Sequence, residues 1–469
     1  MTTRICHAST PTAVVTLAAM IDAGFFPGDS RRVLLLSRTA GPAPEAVPDP
    51  AESPGFERLR TRFDEVLSWN DAIFPFHPDG WLPRTDDVPL WERHFRRAWG
   101  LGEEEVELVV ESPHAGPAQT LTRLFTGVPI DVYADGPACY GPTGGRVPPL
   151  TGTRVRRLFH PDLVPGLEPL LLGEYRVRAQ AVPTAAILTV VAELADVPMD
   201  VPDVEAPALL LGQRLAAPGP LSPAEAEQLR SEMVRGAAAL GHTRLVFAPE
   251  PYGPREDLAA MGAEAARLGV ELTVLDASVP VAAGVLLHRL RPALVVGCSS
   301  AALFAAAGPH GLPVATVGTG LLLERLAPYE NAARIPATLA DALLPDLPDL
   351  PVLPDLPVLA DTGAGPAGTG GGGALAPAAR TAAEVGGLLA AVGFAMQPRV
   401  RPDLRPAAER YLSGQLDART WRYFKRRRLA SLALPGVVPA RLAFLRRNRT
   451  LRRVARRARA LKVARAPLG

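Results

Sequence analysis

Cysteine is scarce in this chain, and its scarcity excludes two classes of protein. Three cysteines occur among 469 residues, at positions 6, 139 and 298. Their odd number and wide spacing provide neither a disulfide framework nor a pair at the spacing of metal ligands. We therefore expect a protein of a reducing compartment, and the cytoplasm is the simplest choice.

Long uncharged apolar runs are also missing, although 48% of the residues are hydrophobic. No run reaches the roughly 18 residues that a membrane-spanning helix needs. Residues 1–24 lack the basic start, the apolar stretch and the cleavage site of a signal peptide, and their pattern predicts a strand followed by a helix. These absences argue against secretion and indicate a soluble or peripheral protein.

Acidic residues are absent from the last 52 positions, which contain 17 arginines and lysines. Because the whole chain has a net charge of +2, the rest of it carries −15. Apolar residues are interleaved with the arginines over 421–464, which is typical of a segment lying on a membrane surface. Anionic lipids at the inner face of the plasma membrane are the preferred partner. An acidic polysaccharide and a solvated tail without any partner are the alternatives, and we expect no specific nucleic acid because no binding module accompanies the charges.

Short apolar runs alternate with helical patterns along the first 345 residues. In the first part, strands are predicted at 32–37, 107–111 and 129–133. From residue 208 the alternation repeats, with strands predicted at 208–212, 244–247, 270–275, 293–296 and 313–317. Unbroken apolar strands separated by helices are typical of parallel sheets that are covered on both faces. Two such sets predict an α/β fold of two Rossmann-like, doubly wound domains facing across a cleft.

The domain boundaries follow from these patterns. We expect a first domain at 1–200 and a second domain at 201–345. Residues 346–378 are a proline repeat that runs into a glycine-rich stretch, so they predict a linker. Residues 379–469 are expected to form a basic, partly helical tail that is accessory to the two domains.

Asp135 provides the strongest local signal. It follows the apolar strand at 129–133 and precedes Gly136. A carboxylate after a parallel strand projects into the crevice where such sheets bind ligands. The alternative is a simple turn, because Asp-Gly is among the commonest turn dipeptides.

Two further strand ends carry candidate residues. Gly297 is followed by Ser299 and Ser300 at the start of a predicted helix, where hydroxyls and backbone amides can hold a phosphate; a plain N-cap is the alternative. Glu250 and Pro251 follow the strand at 244–247 and face the same cleft, unless they only form a rigid exit from the strand. The histidines show no HxH or HExxH spacing, so no metal site is expected.

Several segments taken together resemble the bacterial α-2,8-polysialyltransferase family. They cover most of residues 1–345: ELVVES (107–112), PIDVYADG (129–136), CYGP (139–142), DLVPGLEPLL (162–171), LLLGQ (209–213), RGAAALGH (235–242), GVELTVLDA (269–277), RPALVVGCSS (291–300) and PYENAARIP (328–336). The resemblance implies a GT-B-type sialyltransferase, with an acceptor-side domain at 1–200 and a donor-binding domain at 201–345. Such an enzyme transfers sialic acid from CMP-sialic acid to a sialylated glycan acceptor, with inversion and without a metal or other cofactor.

The resemblance also implies roles for the candidate residues. Asp135 falls on the acidic motif that supplies the general base, and Ser299 with Ser300 falls on the motif that holds the donor phosphate. Glu250 stands before Pro251 where the family carries a His-Pro pair, and losing one such donor lowers the rate roughly 10²- to 10³-fold. An active sialyltransferase, a transferase with a changed donor, and a degenerate nucleotide-sugar-binding or scaffold protein in surface-glycan assembly therefore remain alternatives.

Overall fold

The computed structural model describes residues 2–39, 43–215, 219–250, 258–347, 382–417 and 419–436. All structural statements concern these residues. The described helices are α1 (Pro11–Asp22), α2 (Phe56–Arg60), α3 (Trp69–Ile73), α4 (Val88–Ala98), α5 (Ala118–Leu124), α6 (Pro149–Gly152), α7 (Thr184–Ala195), α8 (Pro223–Ala239), α9 (Ala259–Leu268), α10 (Ala283–Leu290), α11 (Ala301–Ala307), α12 (Thr319–Arg325), α13 (Arg334–Leu343), α14 (Ala382–Met396), α15 (Arg405–Gly414) and α16 (Arg426–Ser431).

Seven parallel strands form the first sheet, in the order β3-β2-β1-β4-β5-β6-β7. The strands are β1 (Thr2–Ala8), β2 (Arg31–Leu36), β3 (Glu65–Ser68), β4 (Glu105–Val110), β5 (Ile130–Tyr133), β6 (Val155–Pro161) and β7 (Arg178–Val182). Helices cover both faces, so β5 is buried along its whole length while β3, at the edge, is only half-buried. The strand order reverses between β1 and β4.

Five parallel strands form the second sheet, in the order β10-β9-β8-β11-β12. The strands are β8 (Ala208–Leu211), β9 (Arg244–Ala248), β10 (Glu271–Val274), β11 (Leu294–Gly297) and β12 (Val314–Thr316). Here the order reverses between β8 and β11, and both of these strands are fully buried. The expected fold class, two Rossmann-like doubly wound domains of the GT-B type, is confirmed.

Helix α7 packs against both domains. It follows β7 and contacts α1 of the first domain as well as α10 of the second. The approach to α10 is close, because Val191 Cγ2 lies 3.1 Å from the position that a Cβ of Gly284 would occupy. A second link is the hydrogen bond from the Ser53 hydroxyl to the carbonyl of Pro280.

Residues 382–417 and 419–436 pack against the two domains instead of forming an accessory tail. Helix α14 is buried over 388–396 and contacts α13 of the second domain. A Cβ on its Gly393 would lie 3.3 Å from Pro142 Cδ in the first domain. Arg428 donates to the carbonyls of Ala395 and Met396 at 2.7 and 3.0 Å, at the carboxyl end of α14.

The expectation of an accessory tail is therefore wrong for residues 382–436. Within the segment expected on a membrane surface, Tyr423, Phe424 and Leu429 are buried. Residues 437–469 lie outside the described residues, and so does the predicted linker apart from Asp346 and Leu347. No helix in the described ranges is both long and apolar enough to span a membrane.

We expect Leu388→Ala to lower the free energy of unfolding by about 2 to 5 kcal/mol, because it removes a fully buried side chain from α14. Leu150→Ala is the matched control, since Leu150 is 84% exposed and such surface changes stay within about 0.5 kcal/mol. Denaturant unfolding followed by circular dichroism measures both. Equal effects of the two substitutions would contradict the placement of α14 in the core.

Candidate functional site

A cleft of about 290 Å³ lies between the domains, at the carboxyl ends of both sheets. Ligands of doubly wound proteins bind at such edges, where the strand order reverses. Residues that follow six different strands line this one cleft: Thr10 after β1, Asp135 after β5, Gly212 after β8, Glu250 after β9, Asp276 after β10 and Ser300 after β11.

Asp135 lies on the first-domain side of the cleft, two residues beyond β5. Its Oδ2 accepts a hydrogen bond of 3.3 Å from the Thr10 hydroxyl. Burial, together with the negative charge of Glu111, raises the pKa of Asp135 to about 6. The next residue, Gly136, approaches the second domain, since its Cβ position is 3.4 Å from Ala301 Cβ.

Glu111 is a site residue that the sequence analysis did not single out. It follows β4 directly, and its Oε1 accepts from the Ser9 amide at 2.7 Å and the Ser9 hydroxyl at 2.9 Å. The Tyr133 hydroxyl donates to the same oxygen at 3.4 Å. Burial raises the pKa of Glu111. The available signal was its position, because β4 and β5 are neighbouring parallel strands and each is followed by a carboxyl residue.

Thr10 connects the two carboxyl groups to helix α1. It is the N-cap of α1, and its hydroxyl oxygen accepts from the Ala13 amide at 3.0 Å. The same hydroxyl donates to Asp135, while the preceding residue, Ser9, is held by Glu111. The turn between β1 and α1 is therefore fixed by contacts with the ends of both β4 and β5.

On the second-domain side, Ser300 lines the cleft and Ser299 does not. Ser300 is the N-cap of α11, and its hydroxyl oxygen accepts from the Ala302 amide at 3.3 Å. Ser299 is buried, and both its amide and its hydroxyl bond to the Gln213 side chain at 3.0 Å. Gly297 is a buried residue of β11 that packs against Leu303. The two serines and the glycine are therefore neighbours, but only Ser300 borders the cleft.

Glu250 borders the cleft after β9, and Pro251 lies outside the described residues. The loop that carries Glu250 is packed on Gly212. A Cβ at Gly212 would lie 2.9 Å from the Glu250 nitrogen and 2.8 Å from Pro249 Cα, so a side chain there would displace the loop. His242 precedes β9 and is not among the described residues that line the cleft.

Carboxyl groups dominate the charge of the described lining. Four of its residues are acidic, namely Asp135, Asp200, Glu250 and Asp276, and none of the described lining residues is Lys, Arg or His. An anionic ligand at this lining would depend on hydroxyl and amide donors. The described residues also contain no group of three or more His, Cys, Asp or Glu that could hold a metal ion.

The fold and the cleft define a two-domain α/β protein of the GT-B type. Neither a family model nor a curated protein matches the chain. Similar solved structures include Phytolacca americana UGT2 complexed with UDP-2fluoro-glucose and pterostilbene, with 12% identity, 72% of this chain and 90% of that chain covered, and a TM-score of 0.37.

Two further similar structures come from bacteria. One is the S. aureus MnaA-UDP co-structure, at 11% identity, 72% and 87% coverage of this chain and that chain, and a TM-score of 0.36. The other is the glycosyl transferase family 9 from Veillonella parvula DSM 2008, at 9% identity, 67% and 80% coverage, and a TM-score of 0.29. Likeness at this level carries no conclusion about the activity or substrate of this chain.

We expect Asp135→Asn to stabilise the protein at about pH 8 by roughly 1 kcal/mol or more, and to change little at about pH 4. The pKa of Asp135 is raised from 3.8 to about 6 in the folded protein. The folded state therefore keeps a proton that the unfolded chain has released, and stability falls as the pH rises through this range.

Denaturant unfolding at the two pH values measures this effect. Asp29→Asn is a matched control, because Asp29 is exposed in the loop before β2. The prediction fails when Asp135→Asn has the same effect at both pH values.

Proposed function

We propose that the protein is a glycosyltransferase of the polysialyltransferase type, which transfers sialic acid from CMP-sialic acid to a sialylated glycan acceptor with inversion. Asp135 carries this proposal, because its carboxyl group lies in the interdomain cleft and the pKa of this group is raised to about 6. A base whose pKa is near the working pH is suited to remove the proton of an acceptor hydroxyl.

In the proposed reaction, the acceptor hydroxyl attacks the anomeric carbon of sialic acid from the face opposite CMP. Asp135 takes the hydroxyl proton as the new carbon–oxygen bond forms. The bond between the anomeric carbon and the phosphate oxygen breaks, its electron pair stays with CMP, and the configuration inverts. General base catalysis of this kind contributes typically about 10²- to 10⁴-fold to the rate.

The departing phosphate gains negative charge, so donors aimed at it stabilise the transition state more than the ground state. Ser300 borders the cleft at the start of α11, and its hydroxyl is suited to this task. Ser299 supports Ser300 by a different route, because Gln213 fixes the loop through both the amide and the hydroxyl of Ser299.

Glu250 favours a second candidate function, that of a nucleotide-sugar-binding or scaffold protein with little catalysis of its own. It borders the cleft in place of the histidine that the family resemblance implies. An ionised carboxylate about 4 Å from a phosphate costs roughly 1 to 4 kcal/mol. A neutral Glu250 could instead donate a proton to the leaving phosphate.

The basic C-terminal segment supports a location at the inner face of the plasma membrane. In its described part, Arg426 and Arg427 are exposed, whereas Arg422 pairs with Asp341 at 2.9 Å. Eleven more arginines and lysines occur over 437–469. Each cation near an anionic surface contributes about 1 kcal/mol, so these charges together are sufficient for peripheral attachment.

We expect Asp135→Asn to retain donor binding and to lose transfer by roughly 10²- to 10⁴-fold, because only the proton acceptor is removed. Calorimetry with CMP and CMP-sialic acid on the full chain measures binding, and release of CMP measures turnover. UDP- and ADP-sugars serve as comparison donors. Full activity in the Asp135→Asn variant would overturn the role of Asp135, and a preference for another nucleotide would overturn the donor.

If the enzyme lacks a side chain that donates a hydrogen bond to the leaving phosphate, Glu250→His should raise turnover by up to roughly 10²- to 10³-fold. Glu250→Gln is the matched control, since it removes the negative charge without supplying a protonated ring, and we expect a smaller gain. CMP release by the three proteins distinguishes the two candidate functions. A scaffold protein would bind the nucleotide and show no turnover with any of the three side chains.

A further inference from the structure

We propose that Glu111 is a positioning residue for Asp135, acting through the Ser9–Thr10 turn that it holds. Glu111 is not among the residues that line the cleft, so it touches neither donor nor acceptor there. The role as a positioning residue for transfer rests on the proposed function of Asp135. The contacts themselves do not depend on it.

The geometry of the turn carries this inference. Ser9 presents its amide and its hydroxyl to Glu111, with donor–acceptor distances of 2.7 to 2.9 Å. Thr10 follows Ser9 directly and donates to Asp135 Oδ2. A shift of the turn would therefore move the one hydroxyl that the described structure directs at the Asp135 carboxylate.

A second connection runs through Tyr133. Its hydroxyl donates to the His7 carbonyl at 2.7 Å and contacts Glu111 Oε1 at 3.4 Å. Tyr133 is the last residue of β5, two residues before Asp135, and it is buried. Glu111 thus contacts both chain segments that place Asp135, namely the turn after β1 and the end of β5.

Electrostatics gives this arrangement a measurable consequence. Burial is the largest cause of the raised pKa of Asp135; the negative charge of Glu111 raises this pKa further, and the hydrogen bond from Thr10 lowers it by a smaller amount. Among the described residues, Tyr133 and Cys139 of the same domain interact electrostatically with Asp135, and the acidic residues Asp200, Glu250 and Asp276 line the same cleft.

The test is carbon-13 NMR of the full chain labelled at aspartate carboxyl carbons, with the Asp135 signal assigned by its loss in Asp135→Asn. In Glu111→Gln we expect the titration midpoint of Asp135 to fall by roughly 1 pH unit from about 6. In Ser9→Ala the midpoint should rise, because a looser turn weakens the bond from Thr10. Glu111 and Ser9 are the two partners of one contact. Opposite shifts of the Asp135 midpoint in Glu111→Gln and Ser9→Ala therefore distinguish positioning from a general loss of stability.

Glu104→Gln is the matched control. Glu104 directly precedes β4 and accepts a hydrogen bond from the Thr3 hydroxyl of β1. It therefore makes a similar contact between the same two strands, but at their amino ends. We expect no change in the Asp135 midpoint. A midpoint that does not rise in Ser9→Ala, that stays at about 6 in Glu111→Gln, or that moves equally in Glu104→Gln would overturn the proposal.

A kinetic measurement separates this inference from the proposed function. If the protein turns over CMP-sialic acid, the acid limb of its kcat/KM profile should move to lower pH in Glu111→Gln together with the NMR midpoint. Opposite NMR shifts without any turnover would leave the placement of Asp135 by Glu111 intact and overturn the transferase. If the protein turns over CMP-sialic acid and the acid limb of its kcat/KM profile stays fixed while the NMR midpoint moves, the positioning role in transfer would be overturned.

Discussion

Parallel pairing of the described strands is the constraint on which the candidate site depends. Because neighbouring strands run in the same direction, the residues that follow them reach the same edge of their sheet. The strand order reverses once in each sheet, and a crevice opens at each reversal. The two edges face each other where Gly136 approaches Ala301, so six strand ends supply side chains to one cleft.

The carboxyl groups after β4 and β5 are unfavourable for stability where they are ionised, and the one that borders the cleft, Asp135, is suited to proton transfer. Burial raises the pKa of both Glu111 and Asp135, which means that the folded protein holds their negative charges less readily than the unfolded chain does. Donors from Ser9, Thr10 and Tyr133 offset part of this effect. Perturbed carboxyl groups in a cleft are typical of functional sites, where activity opposes stability.

Buried strands could be predicted from the sequence because both of their faces are covered and their side chains form unbroken apolar runs. The predicted strand at 293–296 and the observed β11 differ by one residue at each end. Strand β6 was missed, since Arg156 and Arg157 interrupt its apolar run. Both arginines pair with the fully buried Asp131 of β5, at 3.0 and 2.5 Å, so a contact with a distant residue makes a charged strand compatible with the sheet.

The C-terminal segment also shows that a local sequence pattern does not reveal contacts with distant residues. Arginines interleaved with apolar residues predicted a segment lying on a membrane surface, and the described part packs against both domains instead. Arg428 donates to the carbonyls at the end of α14 and pairs with Glu330. Because its charge is neutralised there, the neighbouring Leu429 can be buried. The charge of a segment therefore did not reveal its burial, because the groups that neutralise the charge lie elsewhere in the chain.

The sequence alone determined the alternation of strands and helices, the parallel sheets, and the placement of Asp135, Glu250 and Ser300 after strands, because these features depend on local patterns. The tertiary structure decided that Ser300 borders the cleft while Gln213 holds Ser299, and that Glu111 contacts the turn beside Asp135. Such features depend on the direction and burial of side chains, which are set by contacts between residues far apart in the chain.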